Sequence, residues 1–331
     1  VTGNDAVSRL IEASATPRPL GACWRHFYLS EQQPEDLAEA VVDYQRRFSW
    51  DLLVVPLRHT FYGESWGNEY VYGDDEETVP SQMTTRIVRP ESFLDLEILD
   101  PEDAFMGEQL TCLRHVHRKL GRGVPYLPLI RSPLAVADML IGDPTRTLHM
   151  MRDHREEFRR GLEAVASSVA SFAALCIRSG GAPGIFLYEP PIATADLLSP
   201  EEFEDFCRPY DMIVLESVMS ATLNALYVPG AGCLLDAVLD YPVQLIGWDS
   251  HLPGNPAIAD VLSRTDKTVL GGLNPDGAIL EGDVDKVRAE AEAALEAAGG
   301  SRLILGPNGP CRSGVSEETL QGFSEWLHQE R

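Results

Sequence analysis

FSWDLLVVPLRHTFYGESWGNEY, residues Phe48 to Tyr70, decides the fold. The run Trp50-Asp-Leu-Leu-Val-Val55 is apolar almost throughout and stops at Pro56. A continuous apolar run of this length reads as a strand buried on both faces. Arg58, His59, Tyr62 and Glu64 follow at once, with Gly63 and Gly67 allowing tight turns. A buried strand that empties into a polar loop is the building unit of the active-site face of a parallel α/β barrel.

The pattern recurs along the chain. We place strands at Gly21–Leu29, Asp51–Val55, Val124–Ile130, Gly184–Tyr188, Leu223–Val228, Val243–Trp248, Thr268–Leu270 and Arg302–Leu305. Helices are expected at Ala6–Ala13, Pro34–Phe48, Pro101–Leu120, from Ser132-Pro133, Met150–Ser179 and Ser199–Ser217. Four more fall at Leu234–Asp240, Ala257–Ser263, Val284–Ala298 and from Ser316. Ser199-Pro200-Glu201-Glu202 is a strong start, with a capping serine, a first-turn proline and acids behind it. Eight strands separated by helical segments predict one (β/α)8 TIM barrel over 21–331, preceded by an N-terminal helix and linker over 1–20. A β-hairpin insertion is expected after strand two, at 70–90, its acidic run Asp74–Glu77 a solvated tip. A doubly wound open sheet is the rival architecture; the chain lacks both GxGxxG after a first strand and GxxxxGK[ST].

The totals narrow the function classes. Of 331 residues 44 % are hydrophobic, enough for a full core, and the formal net charge is −24. That charge argues against nucleic acid or an anionic membrane as a partner. The six cysteines form neither a CxxC pair nor a disulfide framework, and VTGNDAVSRL lacks a signal peptide's regions, so a cytoplasmic protein is expected.

Several stretches, in order, resemble the uroporphyrinogen decarboxylase superfamily, which also holds corrinoid-dependent methyltransferases. They are Trp24-Arg25-His26-Phe27, Trp50-Asp51 through Glu64-Ser65-Trp66-Gly67, Ser132-Pro133-Leu134, and Leu198-Ser199-Pro200-Glu201 through Arg208-Pro209-Tyr210. Gly247-Trp248-Asp249, Gly271-Gly272-Leu273-Asn274-Pro275, Leu303–Gly309 and Ser316-Glu317-Glu318 complete the likeness. It implies a barrel with its pocket at the strand C-terminal ends, often a homodimer. Of the arginines that meet substrate carboxylates in the decarboxylases, Arg25 matches. Their aspartate after strand two is replaced by Arg58 or its neighbour, their tyrosine after strand three falls near Met139, and their serine after strand four near Pro190. Asn308 stands nearest the histidine of the last loop. The methyltransferases' zinc-binding His-x-Cys corresponds to Tyr227-Val228-Pro229, and Cys311 lies close to their later cysteine.

These positions lead to a set of expectations. The resemblance implies a lyase, a cofactor-independent acid–base decarboxylase of a small carboxylated aromatic or heterocyclic molecule rather than of uroporphyrinogen. Arg25 and Arg58 would orient the carboxylate, since a guanidinium offers a planar fork for one. His59, Tyr227 and Asp249 would supply proton transfer. Tyr62, Glu64, Glu189, His251 and Asn308 complete the expected substrate contacts, all near strand C-terminal ends. His26 alternates with Arg25, so the two face opposite ways. No metal site is assigned, although His59, Glu64, Asp249 and His251 carry ligand types that suit one. Cys311 reads as a free structural thiol. Methyl transfer of the corrinoid-dependent type is the alternative reaction, and a non-catalytic binder the third reading.

Overall fold

A computed structural model describes residues 3–12, 18–121, 123–300 and 302–329. Eight parallel strands form one curled sheet: β1 (Leu20–Gly21), β2 (Leu53–Val55), β3 (Tyr126–Arg131), β4 (Phe186–Tyr188), β5 (Ala225–Val228), β6 (Leu245–Trp248), β7 (Thr268–Leu273) and β8 (Leu303–Pro307). Each strand from β2 to β8 pairs with its successor, and β8 returns to β1 with Leu20 opposite Ile304. The β1–β2 seam has no ladder. Asp51 closes it instead: its backbone N–H donates to Gly21 O at 2.8 Å, and its carboxylate accepts the Gly21 N–H at 2.9 Å and a two-pronged contact from Arg18. The molecule is a TIM-type (β/α)8 barrel.

Strand alternation separates two cores. Leu20, Ala22, Trp24, Leu52, Val54, Leu127, Leu129, Phe186, Ala225, Tyr227, Leu245, Leu270 and Ile304 fill the barrel interior. Leu53, Val55, Ile130, Leu187, Leu226, Val228, Ile246, Leu303 and Leu305 face the surrounding helices. Val7 and Leu10 of the N-terminal helix Gly3–Glu12 join the interior set, and Ile11 O accepts the Thr268 hydroxyl at 2.7 Å. The helix therefore plugs the N-terminal end of the barrel. Ala13 and the linker over 13–17 lie outside the described residues.

Pro34–Phe48 forms as expected, with proline and acids in the first turn, arginines in the last and left-handed Ser49 behind it. Other segments differ for visible reasons. β1 ends at Gly21 because Trp24, His26 and Tyr28 turn across the barrel mouth, and Ser30–Gln32 becomes a 3-10 turn. The long helix divides at His154 into Pro144–Asp153 and Arg155–Arg178. The next divides at Cys207 into Pro200–Phe206 and Arg208–Ser217, because Pro209 cannot donate to the carbonyl four residues back. Leu235–Val238 is a 3-10 turn, not an α-helix.

Arg155–Arg178 is the one described helix long and apolar enough to cross a membrane, yet 56 % of its apolar window is buried in the fold. Phe158, Leu162, Val165 and Phe172 pack within the helix layer, as in a core helix. The hairpin is present but short, Tyr70–Val71 against Ser81–Gln82. Its tip is not merely solvated. Glu76 accepts the backbone N–H of Leu29 at 2.8 Å and of Ser30 at 3.2 Å, and the Ser30 hydroxyl at 2.6 Å.

Candidate active site

Parity along the strands decides which side chains reach the C-terminal mouth. Counting by twos from the interior residues brings in Trp24, His26, Arg131, Tyr188, Tyr227, Asp249 and Asn308. The same count turns Arg25 and Glu189 outward. Two polar groups result, one over β1–β3 and one over β6–β8, joined by the stacked rings of Tyr188 and Tyr227 with centroids 5.3 Å apart.

The first group centres on His59. Arg131 Nη2 stands 3.2 Å from His59 Nδ1, and since a guanidinium can only donate, Nδ1 accepts. The backbone N–H of His59 donates to Glu31 Oε1 at 3.0 Å. The rings of His26 and His59 meet edge to face at 5.0 Å, and His26 stacks on Tyr28 at 5.2 Å. Burial, reinforced by the Arg131 charge, lowers the His26 pKa to about 3 and holds His59 well below the ordinary imidazole range. Both imidazoles are neutral at physiological pH.

Glu31 is the unexpected member. It is 1 % exposed, and burial pushes its carboxyl up to about 9 against the pull of the His59 N–H and the Arg58 and Arg131 charges. It is a neutral acid at pH 7. Its Oε2 and the facing His26 Nδ1 lie 4.0 Å apart, and neither has a hydrogen-bond partner.

The second group is a fixed network. Asn308 Nδ2 lies 3.2 Å from Asp249 Oδ1, 3.2 Å from Ser250 Oγ and 2.9 Å from His251 Nδ1, while its Oδ1 accepts the Gly272 N–H at 2.7 Å. His251 Nε2 faces Glu290 Oε1 at 3.4 Å, and Glu290 in turn accepts the Asn274 N–H. Gly271, at φ 149°, is required here: a Cβ would stand 2.2 Å from Asn308 Oδ1. Tyr227 is buried between the groups; desolvation, then the Tyr188 and Asp249 neighbourhood, raises its hydroxyl pKa.

The other expected contacts lie elsewhere. Arg25 lines a groove of about 190 Å³ with Asp43, Tyr44, Arg47 and Glu317 on the helix side, and its guanidinium lies over Phe27. Arg58 and Glu64 satisfy each other at 2.6 Å, and Arg58 Nε donates to the hairpin's Tyr72 at 2.8 Å. They brace the loop layer. Tyr62 is buried against Phe61 and Phe172. Glu189 is fully buried behind β4, beside Asp211, which accepts the Tyr241 hydroxyl at 2.8 Å. Burial raises both carboxyls, Asp211 to about 7.

The structure thus brings His59 together with His26 and Arg131, and Asp249 together with His251 and Asn308. Sequence reasoning missed Glu31, which lies between the first expected strand and Pro34, and assigned no contact to Tyr188, which the β4 alternation places beside Tyr227.

The relatives' zinc does not fit this donor set. The Tyr227 ring occupies the mouth where the first ligands would stand, and the buried Cys311 thiol faces the Arg312 carbonyl oxygen at 3.8 Å. His59 and Glu64 do not meet Asp249 and His251, and no group of three His, Cys, Asp or Glu among the described residues is placed to hold a metal ion.

The family described as Uroporphyrinogen decarboxylase (URO-D) matches residues 24–329, and the chain belongs to it. The uroporphyrinogen decarboxylase of Prochlorococcus marinus (strain NATL1A) is 25 % identical over 241 residues, 70 % of this chain and 65 % of that protein, just under two thirds of its length. The methylcobamide:CoM methyltransferase MtaA of Methanosarcina barkeri (strain Fusaro / DSM 804) is 23 % identical over 282 residues, 84 % of this chain and 79 % of that one. Among solved structures, a methyltransferase from Methanosarcina mazei superimposes with a TM-score of 0.80 at 16 % identity, covering 98 % of both chains. A B12-independent methionine synthase from Shewanella sp. W3-18-1 follows at 0.50 and 11 % identity, covering 94 % and 95 %. The chain is distantly related to decarboxylases and methyltransferases alike.

Proposed function

We propose that the chain is an enzyme that binds a small planar carboxylate at the barrel mouth and acts on it by acid–base chemistry, as a decarboxylase-type lyase. One observation carries this reading: Arg131, a permanent cation pointing into the mouth, meets no carboxylate among the described residues and donates only to neutral His59. A half-buried guanidinium with no ion pair among the described residues offers a planar fork to an anionic ligand. Trp24, Tyr28, Tyr188 and Tyr227 provide flat apolar walls for a ring or conjugated chain. Arg131, facing the mouth, rather than outward-facing Arg25, takes the anchoring role. Neutral Glu31 and Tyr227 are the groups able to release a proton, and Asp249 is held rigidly on the far side.

Methyl transfer is the second reading, favoured by the family's methyltransferase branch and by the 0.80 superposition on a methyltransferase. It needs a group that activates the methyl acceptor, and the zinc-binding pattern of that branch is missing. The test is a paired assay on one preparation: release of CO2 from a panel of small aromatic and heterocyclic carboxylates, against methylation of a thiol by methylcobalamin. CO2 release that Arg131→Met abolishes supports the lyase. Thiol methylation without CO2 release overturns it.

A further inference from the structure

The two orphaned atoms beside Arg131 define a second contact point. Glu31 is 1 % exposed and pinned through Oε1 by the His59 N–H, which leaves Oε2 free. His26 Nδ1, 4.0 Å away, is equally buried and unpartnered. An atom placed between them can lie within hydrogen-bond distance of both. Buried polar atoms without partners are uncommon, and two that stand 4.0 Å apart mark a place where a polar ligand atom belongs.

We infer that Glu31 Oε2 and His26 Nδ1 receive the β-oxygen of a ligand whose carboxylate sits on Arg131, so that the substrate class is β-oxo carboxylates, including their aromatic enol forms. The inference rests on the lyase reading and names its substrate class. The placement follows from His59, which touches both ends: its Nδ1 accepts from Arg131 and its backbone N–H holds Glu31. Anchor and proton donor are thus held by one residue, and a carboxylate and an oxygen on neighbouring carbons are the pair that would engage both.

The chemistry balances without a cofactor. The bond from Cα to the carboxyl carbon breaks and CO2 leaves. Its electron pair forms the Cα=Cβ bond, and the π pair of Cβ=O moves onto oxygen. That oxygen takes the Glu31 Oε2 proton, giving an enol. Solvent then reprotonates Glu31, and the enol becomes the ketone by gaining a proton on carbon and losing one from oxygen. Glu31 is competent because burial keeps it protonated at neutral pH. A neutral carboxylic acid in an apolar site is an established way to stabilise a developing enolate. The negative charge travels from the carboxylate to the β-oxygen while remaining within the field of Arg131, whose charge reaches Glu31.

The test compares equilibrium binding of benzoate and of salicylate, a stable enol of a β-oxo acid, by titration calorimetry at pH 7. Wild type should bind salicylate at least about tenfold more tightly, the scale of one good hydrogen bond. Glu31→Leu should reduce that preference to within twofold while leaving benzoate affinity in place, and Glu31→Gln, which keeps a donor, should retain part of it. Equal binding of the two by wild type overturns the inference and leaves the carboxylate anchor standing. Binding of neither overturns both.

Discussion

The guanidinium of Arg131 donates to Nδ1 of His59 across 3.2 Å at the barrel mouth, and no carboxylate among the described residues pairs with it there. Arg58, by contrast, is consumed by Glu64, Glu108 and Tyr72. Position on the strands makes the difference. Arg131 is the last inward residue of β3, whereas Arg58 lies in the loop beneath the hairpin, where acids surround it.

Glu189 should have no part in ligand binding. It faces the helix layer, fully buried beside Asp211. Glu189→Gln should leave ligand affinity within twofold of wild type and raise stability at pH 8, because an amide keeps a donor to Asp211 without the cost of holding a buried carboxyl protonated above its unfolded pKa. Calorimetry and urea unfolding on the same protein check both halves. A tenfold loss of affinity would place Glu189 in the site.

Stability should fall as pH rises. Glu31 titrates at about 9 and Asp211 at about 7 in the folded chain, both far above ordinary carboxyl values. Their contribution is complete below the unfolded pKa near 4 and is lost as pH climbs through the folded values, since the native state keeps protons that the unfolded chain releases. Each group contributes a slope of at most about 1.4 kcal/mol per pH unit. Carboxyls with lowered pKa, such as Asp276 and Glu202, act below this window. The groups around Glu31 are His26, Tyr28, Arg58, His59, Glu76 and Arg131. Buried His26 and His59, held neutral, act in the opposite sense below the ordinary imidazole range, so the window is set above it: urea midpoints should decline from pH 7 to pH 9, and Glu31→Gln should shallow the decline. A wild-type midpoint independent of pH in that range would contradict the assignment.

Glu76 should act as a positioning residue. By holding the N–H groups of Leu29 and Ser30, it fixes the turn that carries Glu31. Glu76→Ala should cost about 1 kcal/mol of stability, quicken amide exchange at residues 29–31 and weaken ligand binding several-fold. Exchange confined to the hairpin would show that Glu76 supports only its own loop.

Gly271→Ala should disturb the second polar group. The added Cβ would overlap Asn308 Oδ1, at a φ of 149° that other residues rarely adopt. A loss of about 1–3 kcal/mol, together with reduced turnover, is expected from thermal unfolding and activity measured side by side.

The barrel was legible because its strands are apolar runs that alternate between two buried layers, and because prolines and acids mark the helix starts. β1 was read too long: Trp24, His26 and Tyr28 alternate as strand residues do, yet they cross the mouth, and tertiary packing of their rings outweighs local propensity. Parity contained more of the site than was drawn from it. It places Arg25 opposite His26 and Glu189 opposite Tyr188, so the outward pair could have been set aside. Glu31 was not legible, because its burial depends on a clamp from residue 76 and on His59, both distant in sequence. Nor did the acidic run Asp74–Glu77 betray that one of its four members turns inward.

Arg131→Met is the most direct test of the account. Benzoate or salicylate binding, followed by calorimetry beside Arg25→Ala, should fall about a hundredfold in the first variant, since a charged hydrogen bond contributes about 1.5–3 kcal/mol. In the second it should change less than twofold. If Arg25→Ala abolishes binding while Arg131→Met retains it, the anchor lies on the other side of β1 and the site must be redrawn.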